Sequence, residues 1–459
     1  TRKKEDFKPL HDGVVNMYAC GITVSGEAHI GHAYQALIYD IIRKYLEKLG
    51  YKVNYARNYT DVDDKIIAKS KETGIPALEY ASMMIDRIDK LMREFQVDDP
   101  TIWLKATCNI DNIIDFISKL IASGHAYPTD RGDVYFAVDS FPGYGKLSGR
   151  RLEDAYESVR IENEDNKRNP LDFALWKSAK EGEIFWKSPW GDGRPGWHIE
   201  CSAMNMAAFG EQIDIHGGGR DLIFPHHENE IAQTESLTGK QFAKYWIHNG
   251  LKVNGQKMSK SLGNSLLLAD LLKTYHPETI KYALLQTNCR GDINVTDDLF
   301  PEADKHMYGF YKTLVEVQNS SLAPSGDAKW IDSGFNHAMD DDFNTAKALA
   351  DLFGIFKGIK SKLKTGDGAC VSEAEQVKKT YSLLGLFRED PSKFVAYYEQ
   401  KQAAAMSDVP SEVLELVEQR KQAKLEKNWA KADEIRGKIT ALGYSVKDTK
   451  DGATVEKIQ

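Results

Sequence analysis

Cys20, Cys201, His226 and Glu230 stand far apart in the chain but match chemically. Zinc accepts thiolate, imidazole and carboxylate in tetrahedral geometry. His226 and Glu230 are four residues apart, share one helical face and make a good metal clamp. Cys20 and Cys201 lie in segments expected to end near one sheet edge. No C-x-x-C pair is present. The alternatives are a buried thiol for each cysteine and a helix salt bridge for Glu230, with His227 and Glu228 as rival ligands. A second chemistry is suited to phosphate. His29-Ile30-Gly31-His32 stands at a helix start, where free N–H groups and the positive dipole end attract anions. His29 and His32 can donate to phosphate oxygens, and Gly31 removes a side chain where a nucleotide could lie close. Far downstream, Lys257-Met258-Ser259-Lys260-Ser261 follows the turn signal Asn254-Gly255. Its two lysines are point charges suited to polyphosphate. Taken alone, the first stretch is a polar helix-entry turn and the second a solvated basic loop.

These residues need a scaffold. Val14–Ala19 reads as a short apolar strand, and Tyr34, Ile38, Ile41, Ile42, Tyr45 and Leu49 recur at helical spacing before a Gly50 cap. A second strand near Tyr51–Tyr55 leads to Thr60, where a substrate can be reached, and to Asp61, Asp63 and Asp64, which suit the first turn of a helix. This alternation to about Cys108 predicts an α/β open parallel sheet, with ligands at the carboxyl ends of its strands. From about Phe116 to Pro195 the character changes. His125–Tyr127, Asp133–Val138 and Ile184–Trp186 read as strands, with Arg150-Arg151 and Lys167-Arg168 between them as basic pairs or ordinary solvated surface. From Gly196 the alternation resumes. Ile213–Gly219 reads as a strand entering a Gly-rich turn, and Pro225 suits the first position of a helix. Helical text follows Ser261, with Gln400–Pro410 as a linker. The tail from Ser411 is basic and helical, either a solvated amphipathic helix or an RNA contact.

The chain has 459 residues, 42% hydrophobic and 28% charged, which is the composition of a soluble globular protein of several domains. No apolar run approaches a membrane span. Thr1–Asp6 lacks the apolar core of a signal peptide and an initiator Met, which points to a trimmed start. Five scattered cysteines argue for thiols in a reducing compartment, and so for a cytoplasmic location. A net charge of −8 excludes a sequence-independent nucleic-acid coat but not a local basic face.

H-I-G-H early and K-M-S-K-S late resemble the two signature motifs of class I aminoacyl-tRNA synthetases. Within that class, Tyr18-Ala19-Cys20-Gly21, Thr60–Lys65, Trp197–Met204, His216–Gly219 and Phe224–Glu230 resemble the cysteinyl-tRNA synthetase family. Ile22 stands where Pro is common, and Ser25-Gly26-Glu27 replaces a Tyr-containing run. Neither change touches a ligand. The resemblance implies a Rossmann-type parallel-sheet catalytic domain split by an insertion, then an all-α bundle and a small C-terminal anticodon-side module. The limits expected are 1–115 and 196–262 for the catalytic halves, 116–195 for the insertion and 263–300 for a stem-contact linker. The bundle is expected over 301–400 and the C-terminal module over 411–459.

The resemblance also implies a zinc held by Cys20, Cys201, His226 and Glu230, with Mg²⁺ accompanying ATP. It places Thr60, Trp197, Gly219 and Asp221 around the cysteinyl group and its amino end, although Trp197 could equally be plain core. His29, His32, Lys257 and Lys260 would act on the ATP phosphates, with Gly31 beside the nucleotide. Lys424, Trp429 and Asp433 are the choices for tRNA contact. Cysteine and serine are near isosteres that shape separates poorly, whereas a thiophilic metal prefers the thiolate. No editing domain is then needed, and none is read here. The expected partners are tRNA(Cys), ATP and L-cysteine, the expected state is a monomer, and the expected activity is cysteine–tRNA ligation. A paralogous ligase joining the same adenylate to an amino-sugar would share the zinc and both ATP motifs, but its small acceptor needs no anticodon module. A non-catalytic RNA-binding relative is disfavoured by the intact motifs.

Overall fold

The computed structural model describes residues 4–150, 167–257, 266–288, 290–407, 409–449 and 452–457. The first strand, β1 (Val14–Thr23), is followed by the helix Ile30–Lys48 and by β2 (Lys52–Thr60). β3 (Ile102–Lys105) closes the first parallel set, which β1, β2 and β3 form in adjacent register. After an excursion over residues 106–212 the chain returns as β8 (Ile213–Gly219), β9 (Ala243–Val253), β10 (Gln256–Lys257) and β11 (Asp292–Val295). The sheet order is β10-β9-β8-β1-β2-β3, with β11 parallel to β9 and only β10 antiparallel. The strand order therefore reverses between β1 and β8, the place where open parallel sheets bind ligands. β1 and β2 are buried over most of their length; β1 reads as largely apolar text, as expected of a strand covered on both faces, whereas β2 also buries the polar side chains of Arg57, Asn58 and Thr60.

The excursion builds its own antiparallel sheet from β4 (Ala126–Pro128), β5 (Val134–Phe136), β6 (Phe173–Ser178) and β7 (Gly193–Pro195). The strand expected at Ile184–Trp186 is absent. Trp186 makes one isolated bridge to Gly193, and Phe185 is 48% exposed. Phe173–Ser178 takes the place in the sheet because Leu175 and Trp176 are fully buried and both of its edges are paired. Pro225 also departs from expectation. Phe224 is extended (φ −136°, ψ 131°), the α-helix begins only at Glu228, and Pro225 lies in a wider turn before it. A residue preceding proline is pushed out of the helical region, which delays the start.

The chain forms two compact units, Thr1–Met307 with Ser320–Arg388, and Tyr308–Asn319 with Glu389–Gln459. In the first unit the helices Lys329–Asp340, Thr345–Thr365 and Ala369–Tyr381 pack as a bundle, tied to the helix Ile30–Lys48 by Tyr45 Oη–Asp340 (2.6 Å) and Lys48 Nζ–Asp332 (2.7 Å). Asn344 caps the helix that follows the acidic turn, accepting the Lys347 N–H at 3.1 Å, so that turn is structural. In the second unit the helices Ser411–Leu425 and Trp429–Ala441 pack around Val413, Ala423, Ile435 and Ile439 beside a hairpin of β12 (Tyr444–Thr449) and β13 (Gly452–Lys457). Among the described residues no helix is long and apolar enough to cross a membrane.

Candidate active site and metal centre

Three elements deliver four metal-ligating side chains, two thiols, an imidazole and a carboxylate, to one point. Cys20 sits near the carboxyl end of β1, where Gln35 Nε2 donates to its carbonyl at 2.5 Å. Cys201 lies on the helix Trp197–Phe209, and His226 and Glu230 enter from the turn and helix after β8. Cys20 Sγ is 3.8 Å from Cys201 Sγ and 3.4 Å from Glu230 Oε1, and His226 Nε2 is 3.2 Å from the same oxygen. All four donor atoms lie within 4.8 Å of one another, and all four residues are buried. Both cysteines are free thiols.

The surroundings suit a cation. Burial pushes the Cys20 thiol well above its ordinary range. The Cys20 hydrogen bond pulls the Cys201 thiol down, but burial and Glu230 together leave it raised. Burial and neighbouring imidazoles hold His226 and His227 well below theirs. Uncompensated, two thiolates and a carboxylate here would be prohibitively costly. A divalent cation inverts that balance, deprotonating the thiols and taking the neutral imidazole as a ligand. His226 Nδ1 lies 3.0 Å from His198 Nδ1, which orients the ring and leaves Nε2 for the centre. A second overlapping set joins Cys20 and Glu230 to His216 and His227. The rival ligand Glu228 is committed elsewhere: its carboxylate accepts the N–H groups of Leu147 (3.3 Å) and Ser148 (2.9 Å).

A cleft of about 570 Å³ opens beside this cluster at the β1/β8 switch. Its walls bring together His29, Gly31 and His32 with Trp197, Gly219 and Asp221. Trp197 is 37% exposed, with its ring 4.4 Å from that of His226, so the plain-core alternative fails. Thr60 is buried and does not line the cleft. His29 is the N-cap of the helix Ile30–Lys48, and its N–H donates to His32 Nδ1 at 3.4 Å. With Nδ1 accepting, the neutral ring carries its proton on Nε2, which becomes a donor. The Ile30 N–H donates to the Leu266 carbonyl (2.8 Å) and the Leu268 N–H to Ala28 (3.0 Å). The far leg of the lysine-bearing loop is therefore tied to the H-I-G-H turn. Lys257 ends β10, and Lys260 lies outside the described residues. In the second unit Trp429 is 61% exposed, Asp433 is exposed on the same helical face and Lys424 is half-buried.

Several residues around the centre were not singled out from the sequence. Gln35, Asn58, His198, Glu200, His216 and His248 all pack near it. One signal was available, because five of the twelve histidines fall between positions 198 and 248. Burial holds His198 and His248 at about 3, so both are neutral at ordinary pH.

The chain's residues 6–305 match the tRNA synthetases class I (C) catalytic domain, and residues 334–388 match the DALR domain. Residues 406–455 match the cysteinyl-tRNA ligase anticodon binding domain. The Cysteine–tRNA ligase of Syntrophotalea carbinolica is 44% identical over 98% of this chain and 97% of its own length. This chain belongs to the cysteine–tRNA ligase family. The Cysteine–tRNA ligase of Legionella pneumophila strain Paris is 43% identical over the whole chain and 98% of its own. Among solved structures, Mycobacterium tuberculosis methionyl-tRNA synthetase in complex with methionyl-adenylate superposes with a TM-score of 0.61 at 13% identity, over 83% of this chain and 93% of that one. The LeuRS–tRNA–LeuAMS ternary complex of Agrobacterium radiobacter K84 gives 0.61 at 11% identity, over 86% of each chain. These two likenesses show the shared class I fold. The family is one of ligases, and an amino-sugar acceptor has no support beside an anticodon-binding domain.

Proposed function

We propose that this ligase activates L-cysteine with ATP in the β1/β8 cleft and transfers the cysteinyl group to tRNA(Cys), with Cys20, Cys201, His226 and Glu230 holding a zinc. One observation carries the reading: four buried, mutually close metal-ligating side chains, two of them soft thiols, stand beside a cleft that also holds the H-I-G-H turn. When bound, the zinc supplies selectivity for a thiolate over a hydroxyl. The cysteine carboxylate attacks the α-phosphate of ATP, and pyrophosphate leaves. His29 and His32 donate to oxygens of the reacting phosphate, beside Gly31, while Lys257 and Lys260 hold the β- and γ-phosphates with Mg²⁺. Trp197, Gly219 and Asp221 bound the amino-acid end, and Thr60 supports it from beneath. The chain's part in this step is positioning and charge stabilisation. The terminal ribose hydroxyl of tRNA, the 2′-OH in this class, then attacks the adenylate carbonyl and AMP leaves.

Lys424, Trp429 and Asp433 are the tRNA contacts proposed in the C-terminal module. The domain limits 1–115, 116–195, 196–262, 263–300, 301–400 and 411–459, a monomeric state and a cytoplasmic location belong to the same reading. Purified protein should exchange pyrophosphate into ATP when cysteine is added without tRNA, discriminate against serine, and charge tRNA(Cys). Exchange that serine supports as well as cysteine would refute the zinc-selection reading.

A further inference from the structure

Between β5 and β6 the chain makes a tight loop over residues 141–150 that the chemistry above does not use. Gly145 closes it: its φ is +93°, and a Cβ there would stand 2.2 Å from the Arg150 carbonyl oxygen. The loop grips the segment that carries His226 and Glu230. Glu228 is fully buried, and each of its carboxylate oxygens accepts one backbone N–H, from Leu147 at 3.3 Å and from Ser148 at 2.9 Å. The Tyr144 hydroxyl donates to Asn229 Oδ1, and Lys146 pairs with Glu235. The Arg150 guanidinium lies 4.5 Å from the centre of the Phe224 ring, and the Tyr144 ring meets that ring edge-on at 6.3 Å. Glu228 and Glu235 are seven apart, so they share one face of the helix Glu228–Thr238. Glu230, two residues beyond Glu228, leaves the helix on another side. The arm is therefore held by the loop on one side and presents its second carboxylate to Cys20 and His226 on the other. Leu147 also packs against the apolar cluster that contains Cys20 and Cys201.

We infer that the 141–150 loop is a latch on the metal centre, with Glu228 and Tyr144 as positioning residues that hold the His226–Glu230 arm in ligand geometry. This inference rests on the zinc reading proposed above. Two buried carboxylates in one helical turn must both be satisfied. The loop's N–H groups serve Glu228, which leaves Glu230 for the metal. Turning the helix start so that Glu230 swings away from the cysteines would break both hydrogen bonds to Glu228. The same anchor keeps a rival carboxylate out of the donor cluster. Phe224, two residues before His226, is held by Tyr144 and Arg150, so both ligands of the arm have a gripped neighbour.

The test is the zinc affinity of the full chain, measured by competition with a chromophoric chelator, with the cobalt(II) spectrum of each variant as a second readout of ligand geometry. Glu228→Ala should weaken zinc binding by about 10- to 100-fold, the scale of losing a hydrogen-bonded support behind a metal ligand, and should change the cobalt bands. Glu228→Gln keeps one acceptor oxygen and should fall between Glu228→Ala and wild type. Tyr144→Phe should weaken binding about 2- to 10-fold, the scale of one neutral hydrogen bond. Gly145→Ala alters only the loop and should weaken binding in the same direction. Tyr127→Phe is the control, because it removes a 2.6 Å hydrogen bond to Asp172 within the same excursion but away from the arm. It should lower the melting temperature and leave zinc affinity within about twofold. The inference falls if Glu228→Ala binds zinc within about threefold of wild type, or if Tyr127→Phe weakens zinc binding as much as Glu228→Ala does. Should Glu228→Ala fail to fold, Tyr144→Phe and Gly145→Ala decide it, and wild-type zinc affinity in both would overturn the inference. A wild-type chain that binds no zinc would instead refute the zinc reading itself.

Discussion

Gly21→Ala is a small change with a large expected effect. The Cβ it adds would stand 1.6 Å from the Asn58 carbonyl oxygen, where side chains are essentially never found closer than 3.0 Å. The neighbouring strand must therefore yield by about 1.4 Å, the difference of those two distances, against a backbone atom that has no rotamer to escape into. β1 already carries a register irregularity between Ala19 and Ile22, so the shift would fall between Cys20 and the Asn58 amide that receives the Gly21 N–H. Overpacking of this kind costs about 1–3 kcal/mol in stability, and misplacement by about 1 Å near a reacting centre costs on the order of 10²-fold in rate. Thermal melting and pyrophosphate exchange on the same preparation separate the two effects. The expected variant is folded, melts a few degrees lower, and loses about two orders of magnitude in kcat/KM for cysteine. A Gly21→Ala protein within threefold of wild type in exchange would refute the claim that the β1–β2 contact sets the site's geometry.

Three other perturbations follow from the same structure. Lys281 is fully buried, donates to the Gln96 carbonyl at 2.8 Å and is drawn by burial from 10.5 down to about 7, with Glu278 and Asp40 opposing the shift and Arg388 and Lys44 aiding it. Between about pH 7 and 10.5 the folded state then binds fewer protons than the unfolded, so stability rises with pH there, by at most about 1.4 kcal/mol per unit. Lys281→Met should flatten this rise, and parallel melting-versus-pH curves for variant and wild type would contradict it. Trp429→Ala removes an exposed ring from the C-terminal unit and should lower kcat/KM for tRNA charging about tenfold or more, the scale of one base stacked on an aromatic side chain. Pyrophosphate exchange should stay within twofold, and an equal fall in both assays would place Trp429 outside RNA contact. His32→Ala deletes a cleft-facing donor and should cut exchange by about 10²-fold or more with zinc content unchanged, whereas a loss confined to KM for cysteine would reassign it.

Legibility differed between levels. The parallel sheet could be read because β1 is largely apolar, Val53 and Tyr55 alternate with polar residues in β2, and the helix between them keeps a clear 3.6-residue period. The metal cluster could be read in part, since a His226–Glu230 pair four apart must share a face. Its meeting with Cys20 and Cys201 needed the return of the chain beside β1, which no local pattern records. Ile184–Trp186 misled because three apolar residues in a row satisfy a strand pattern while making only one isolated bridge, Trp186 to Gly193, whereas Phe173–Ser178 has partners on both sides. Asn58 and Glu200 were not singled out because a buried polar side chain looks like surface in a sequence. Only the fold shows what encloses it.

The most direct test of the account is bound zinc together with cysteine-dependent pyrophosphate exchange for wild type and Cys201→Ser. The account predicts close to one zinc per wild-type chain with robust exchange, and a Cys201→Ser protein that remains folded but loses both metal and cysteine-dependent exchange. A Cys201→Ser protein that keeps its metal and its preference for cysteine over serine would contradict the assignment of this cluster as the centre that selects the thiolate.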